Sequence, residues 1–205
     1  MLKSLFDGVM ERRSTQLLEQ VGEWLPSAGP VLDLGSGTGH LSARLERELG
    51  LEMVPADVSD MHVVGPPPVL IADGPLPFAA NTFSGALLFF MLAYPSNPPA
   101  LLAEVARVTR GPIILVQSLH ASGFGYAWLR VREFFWTIVA FHVSKIIGYV
   151  PPNAEFTMNT RRFYTAPSLQ RDLTAAGLRV RSRSERAVLP GGALVVAGWI
   201  VERDD

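Results

Sequence analysis

The stretch Val31-Leu32-Asp33-Leu34-Gly35-Ser36-Gly37-Thr38-Gly39-His40 constrains the fold more than any other part of the chain. Pro30 stops whatever precedes it, and Val31, Leu32 and Leu34 read as a short buried strand. Three alternating glycines follow. Leu41, Ala43 and Leu45, interleaved with Arg44, Glu46 and Arg47, then resume as an amphipathic helix that ends at Gly50, a C-cap. The order is therefore strand, glycine turn, helix. Glycines at the turn remove the Cβ atoms that would keep a ligand off the backbone. The helix N-terminus offers free N–H groups to a carboxylate or a phosphate.

The glycine spacing narrows the ligand. A dinucleotide fingerprint reads G-x-G-x-x-G, and its third glycine would fall on His40; Gly39 stands one residue early. The pattern Asp33-x-Gly35-x-Gly37-x-Gly39 instead resembles motif I of the Rossmann-type S-adenosylmethionine-dependent methyltransferases. On that resemblance Asp33 helps to position the methionine part of the cofactor, and the loop of Gly35, Ser36, Gly37 and Gly39 passes beneath it. Leu51 to Val58 reads as a second strand ending at Asp57, about 20 residues after the glycines, as a βαβ unit requires. In the family this acid accepts hydrogen bonds from the ribose hydroxyls. Pro55 removes a donor from that strand, so weak pairing is expected around it.

Val69 to Ala72 reads as a third strand, and Asp73-Gly74-Pro75-Leu76-Pro77-Phe78 follows. This resembles the family's second signature, which places the adenine near Val58, Asp73 and Gly74. Leu76-Pro77-Phe78 before Asn81-Thr82-Phe83, and Leu102 to Val108 before Gly111, are similar to the type 11 group of the family. Phe83 to Leu92 is the most apolar run and suits a central strand buried on both faces. Asn97-Pro98-Pro99 resembles an amino-group methyltransferase signature, but Ala100 stands where its aromatic ring belongs. The better reading makes Asn97 an N-cap, with Leu101, Leu102, Val105 and Val108 facing the sheet.

Ile113 to Gln117 is the fifth strand, Thr165 caps a helix carrying Leu169 and Leu173, and Leu178–Arg183 and Ala193–Val201 form a final antiparallel pair. The expectation is a single α/β domain over residues 1–205, a Rossmann-like three-layer sandwich whose seven-stranded, mostly parallel sheet ends antiparallel. Residues 1–29 form an N-terminal helical segment in which Ser14 caps a helix bearing Leu17, Leu18, Val21 and Leu25. Residues 119–163 are a helical insert over or beside the cleft. Three roles stay open for it: a core helix, a cover over an apolar pocket, or a weak contact with a membrane surface. Its longest charge-free run, Phe134 to Ser144, is too short to span a membrane.

With no cysteine, thiolate catalysis and cysteine-ligated zinc are excluded. No cluster of histidines and carboxylates has metal-ligand spacing, and no G-x-S-x-G marks a hydrolase. The net charge of −1 gives no attraction for a polyanion, so nucleic acid is not an expected partner. The first residues hold no apolar signal region, and a cytoplasmic protein is expected.

The resemblance implies S-adenosylmethionine as cofactor and a methyltransferase acting on a small, largely apolar acceptor. Cofactor contacts are expected from Asp33, Gly35, Ser36, Gly37, Gly39, Asp57, Val58, Asp73, Gly74 and Phe89. The acceptor is expected among Phe90, Tyr94, His120 and Tyr126, with Met91 nearby. His120, at the carboxyl edge of the sheet, is the candidate base, ahead of His62 and His142. Alternatives are a binding protein of this fold that has lost catalysis, and a nicotinamide-dependent oxidoreductase, which the glycine spacing disfavours.

Overall fold

The computed structural model describes residues 2–155 and 160–204. Strand β1, Pro30–Leu34, and β4, Gly85–Phe89, lie inside a seven-stranded sheet of order β3-β2-β1-β4-β5-β7-β6. The others are β2, Glu52–Asp57; β3, Val69–Leu70; β5, Ile113–His120; β6, Leu178–Ala187; and β7, Leu194–Arg203. Strands β1 to β5 pair in parallel. Strand β7 inserts between β5 and β6 and runs antiparallel to both.

Period-two alternation divides the central strands between two cores. Leu32, Leu34, Ala86, Leu88, Ile113 and Leu115 face one side, where they meet Leu102 and Val105 of α3, Pro98–Val108, and Leu169 and Leu173 of α6, Ala166–Ala175. Val31, Leu87, Ile114 and Val116 face the other, against Leu17 and Val21 of α1, Leu2–Val21, and Leu45 of α2, His40–Leu49. Burial on both faces explains why these strands read as apolar runs rather than alternating ones. The same alternation puts Asp33 on the α2 side, where it is only 2% exposed.

Several boundaries differ from the sequence reading. Ser14 is not a cap: it lies inside α1 and donates to the Met10 carbonyl at 3.0 Å, a bond between consecutive helical turns. Strand β3 is two residues long, and β4 ends at Phe89 because Phe90 takes the left-handed conformation, φ 59°. Strand β5 continues to His120, which β7 permits by pairing along its whole length. Pro55 does not interrupt β2, which stays in register with β1 from Glu52 to Ala56. The Ala56 carbonyl accepts from Gly35 on the β1 side, so Pro55 faces the β3 side, where pairing starts only at Ala56. Its missing donor therefore costs nothing.

The insert forms α4, Gly123–Phe134, a π-helical stretch over Phe135–Ala140, and α5, Phe141–Ile146. Ser122 caps it by accepting from Gly125 N at 3.1 Å. Leu129, Ala140 and Ser144 are buried, whereas Phe124, Phe134, Phe135 and Ile146 are exposed. Past α5 the chain docks on α1 and on the loop after β2, through Tyr149, Val150 and Ala154 against Met61, Phe6 and Val63. The stretch of the insert at residues 156–159 lies outside the described residues.

Candidate functional site

The carboxyl ends of β1, β2 and β4 open into a cavity of about 940 Å³. Gly35, Gly37, Asp57, Val58, Asp73, Gly74, Phe89, Phe90 and Tyr94 line it, as do Arg13 and Arg161. A smaller cavity of about 200 Å³ adjoins it through Arg13, Gly35, Gly37 and Phe89, and reaches Asp33, Ser36 and His40. Open α/β sheets bind ligands at this edge, beside the strand where the connections change direction.

The glycine loop owes its course to positive φ at Gly35, Gly37 and Gly39, at 81°, 58° and 80°. Gly39 precedes the first residue of α2 and is hemmed in: a Cβ there would lie 2.3 Å from the Val64 carbonyl oxygen. At Gly37 a Cβ would meet no protein atom and would project into open space, while Gly37 itself borders both cavities. One glycine is thus required by packing, and the other keeps the cavity floor clear. Ser36 Oγ pairs with His62 Nε2 at 2.8 Å, tying the loop to the chain after β2.

Two buried carboxylates face this loop. Asp57 accepts from Gly37 N at 2.8 Å and from Val58 N at 2.7 Å. Burial raises its pKa, against those backbone bonds, which lower it. Asp33 accepts from Ser42 Oγ of α2 at 2.6 Å. Burial lifts its pKa to about 6, opposed by the Ser42 bond and assisted by the charge of Asp57. A carboxylate with remaining lone pairs at the edge of a cavity accepts hydrogen bonds from hydroxyl or ammonium donors of a ligand.

The far wall is apolar: Phe89, Phe90 and Met91 leave β4 and turn towards Tyr94 and Pro95. Burial pushes the Tyr94 phenol up to about 12, so it keeps its proton at neutral pH, and its hydroxyl bonds the Thr160 side chain. Glu104 of α3 borders the opposite wall, accepting from Leu76 N at 2.9 Å and bridged to Arg107 at 2.8 Å.

The structure brings Asp57, Val58, Asp73, Gly74, Gly35, Gly37, Phe89, Phe90 and Tyr94 around the larger cavity, and Asp33 and Ser36 around the smaller. Gly39 borders neither and shapes the loop from behind. His120 and Tyr126 also border neither; their rings pack edge to face, 5.4 Å apart, and Tyr126 stacks in the same way on Phe163. Because β5 runs on to His120 and α4 begins three residues later, Tyr126 folds back on His120. Trp128, Phe134, Phe135 and Trp136 are likewise absent from the cavity lining, so the apolar wall comes from β4 rather than from the insert. Sequence reasoning missed Arg13, Met61, Ile71, Glu104 and Arg161. For Arg13 a signal existed: it lies three residues after Met10 and four before Leu17, on the inward face of α1.

A family model described as a methyltransferase domain matches residues 6–183. No curated protein matches the chain. Among solved structures, a S-adenosylmethionine-dependent methyltransferase from Methanosarcina mazei superposes with a TM-score of 0.61 at 16% identity, covering 89% of this chain and 96% of its own. A geranyl diphosphate C-methyltransferase from Streptomyces coelicolor A3(2), solved with Mg2+, geranyl diphosphate and S-adenosyl-L-homocysteine, gives 0.62 at 10% identity over 94% and 80%. The cyclase SpnF gives 0.63 at 15% identity over 94% and 80%. At such identities these likenesses are likenesses of fold.

Proposed function

The chain belongs to the family of methyltransferase domains, and from that premise we propose that it binds S-adenosylmethionine on the glycine loop and methylates a small, largely apolar acceptor. The observation that carries this reading is the meeting of Gly37, the buried Asp57 carboxylate and the Phe89–Met91 wall around one cavity. The residues fit the cofactor. Gly37 leaves the floor clear for it, Asp57 offers lone pairs to the ribose hydroxyls, and Val58, Asp73 and Gly74 border the place of the adenine. Asp33, in the smaller cavity, faces the place of the amino acid part.

Bound, the cofactor supplies a methyl group that is already activated. The chain's contribution is then to position and to exclude water. Phe89, Phe90 and Met91 present an apolar surface to the acceptor, and Tyr94 orients a polar atom on it by donating its phenol proton. Small-molecule sites combine an apolar wall with a few oriented polar groups in this way. His120 lies against Tyr126 rather than on the cavity. The proposal therefore assigns the acceptor-side polar role to Tyr94 and assigns no base.

Calorimetry with S-adenosylhomocysteine tests the cofactor half. Wild-type protein should bind it, and Asp57→Ala should lose about 1.5–3 kcal/mol per charge-assisted hydrogen bond removed, before water compensates. Unchanged affinity in the variant would refute the ribose assignment. A screen of methyl acceptors with labelled cofactor tests the other half, and transfer only to nucleic acid or protein would overturn the small-acceptor reading.

A further inference from the structure

Arginine side chains that line a cavity usually meet a carboxylate, and Arg13 does not. Its guanidinium lies 4.4 Å from the centroid of the Phe90 ring, a cation–π contact. Among the described residues it makes no hydrogen bond and no ion pair. Its side chain is exposed to solvent, and its inner side borders the cleft. Its partial desolvation against the cleft wall lowers its pKa, the charge of Arg132 lowers it further, and Tyr94 acts the other way. Arg132 is compensated: it donates to Ser118 Oγ at 3.0 Å and feels the charge of Glu133. A second arginine, Arg161, borders the same cavity and makes no ion pair among the described residues; its backbone bond to the Ala93 carbonyl at 2.9 Å holds it near Tyr94.

The carboxylates of the cavity lie elsewhere. Asp57 ends β2, Asp73 stands three residues after β3, and Glu104 is engaged by Arg107 and Leu76 N. The cavity lining is therefore acidic beside the strand ends and α3 and carries Arg13 and Arg161 beside Phe90 and Tyr94, with the carboxylate of Glu133 also acting on Tyr94. Phe90 supports this arrangement at a cost, since an aromatic residue at φ 59° is a strained conformation. Its amide is fixed by the Val116 carbonyl at 2.7 Å, which holds the ring beneath the guanidinium.

We propose that the acceptor is an amphiphile whose anionic group, a carboxylate or a phosphate, is bound by Arg13 with Arg161 alongside, while its apolar body lies on Phe90 and Met91. This rests on the methyltransferase reading and names the class of its acceptor. A planar guanidinium with five donors suits both anions, and an anion between two uncompensated cations relieves the repulsion that Arg132 adds. The rival recipient of Arg13 is the carboxylate of the cofactor itself, since Arg13 also borders the smaller cavity.

The test uses whole protein saturated with S-adenosylhomocysteine and titrated with octanoate and with its neutral isostere octanamide. Octanoate should bind wild type about tenfold more tightly or better, the worth of one charge-assisted hydrogen bond. Arg13→Gln should abolish the preference and Arg13→Lys should keep part of it, with affinity for S-adenosylhomocysteine changed by less than about threefold. Should Arg13→Gln fail to fold, the wild-type preference for octanoate must itself fall with added salt. Equal binding of the two probes, or no octanoate binding, overturns the proposal. Loss of S-adenosylhomocysteine affinity in Arg13→Gln overturns it too, giving the arginine to the cofactor. If wild type binds no S-adenosylhomocysteine, the cofactor reading fails, and the same comparison of probes on unloaded protein still decides the claim about Arg13.

Discussion

Asp33 and Asp57 are equally buried, but only Asp57 is held by backbone N–H groups; Asp33 has a single serine hydroxyl. Its pKa of about 6 in the fold, above the 3.8 of an ordinary aspartate, means that the native state holds the proton more tightly than the unfolded chain. Stability contributed by the protonated form is therefore complete below about pH 4 and lost as pH rises to about 6, by about 3 kcal/mol for two pKa units. Asp33→Asn should raise stability by up to that amount at pH 7.5 and by much less at pH 4.5, read by urea denaturation at both. An equal gain at both would show that the charge is not what costs. The glycines separate in the same way. Gly39→Ala should lose at least about 1–3 kcal/mol, because its Cβ meets the Val64 carbonyl. Gly37→Ala should fold with a small loss of Tm and fail to bind S-adenosylhomocysteine, because its Cβ enters the cavity. Both acids and both glycines were legible because their spacing is local and their chemistry rare. Arg161 was not, and Arg13 only through its place on the inward face of α1: an arginine reads as a solvated charge, and both still face solvent along the cleft that the strand ends form.

At the scale of elements, the caps at Thr165 and Asn97 proved legible, the one read at Ser14 did not, and strand lengths were less legible still. Thr165 caps α6 with Ser168 in a reciprocal box, and Asn97 caps α3 by accepting from Ala100 N at 3.2 Å. Both follow from short-range hydrogen-bond chemistry. Thr165→Ala should cost about 0.5–2 kcal/mol in urea denaturation and leave cofactor affinity unchanged, since α6 borders neither cavity. Strand ends depend on partners, which a local reading does not see. Strand β5 gained three residues from β7, and β4 lost three to the left-handed turn at Phe90. The insert shows the same limit. Its apolar composition fitted a cover over the pocket, yet the helix turns Leu129 and Ser144 inward and leaves Phe124, Val131, Phe134, Phe135 and Ile146 more than half exposed.

For the molecule as a whole, that exposure is the outstanding surface property. Contiguous apolar patches on monomers seldom exceed roughly 300–600 Å², and five large apolar side chains stand exposed along this one insert. The protein should bind an environment-sensitive hydrophobic dye in its native state, and Phe135→Ser with Ile146→Ser should cut the fluorescence severalfold without shifting Tm. An unchanged signal would place the dye elsewhere. No helix among the described residues is long and apolar enough to cross a membrane. The sheet raises a separate matter of timing. Strand β6 has one neighbour, β7, and β7 is also what covers the edge of β5. A ribosome delivers the strands in sequence order, so β6 emerges before there is anything for it to pair with. Until residues 194–203 follow, the growing sheet carries an open, apolar β5 edge of the kind that recruits other chains. Nascent chains arrested with β7 still unmade should therefore depend on a holding chaperone, and release of those ten residues should end the dependence in a single step.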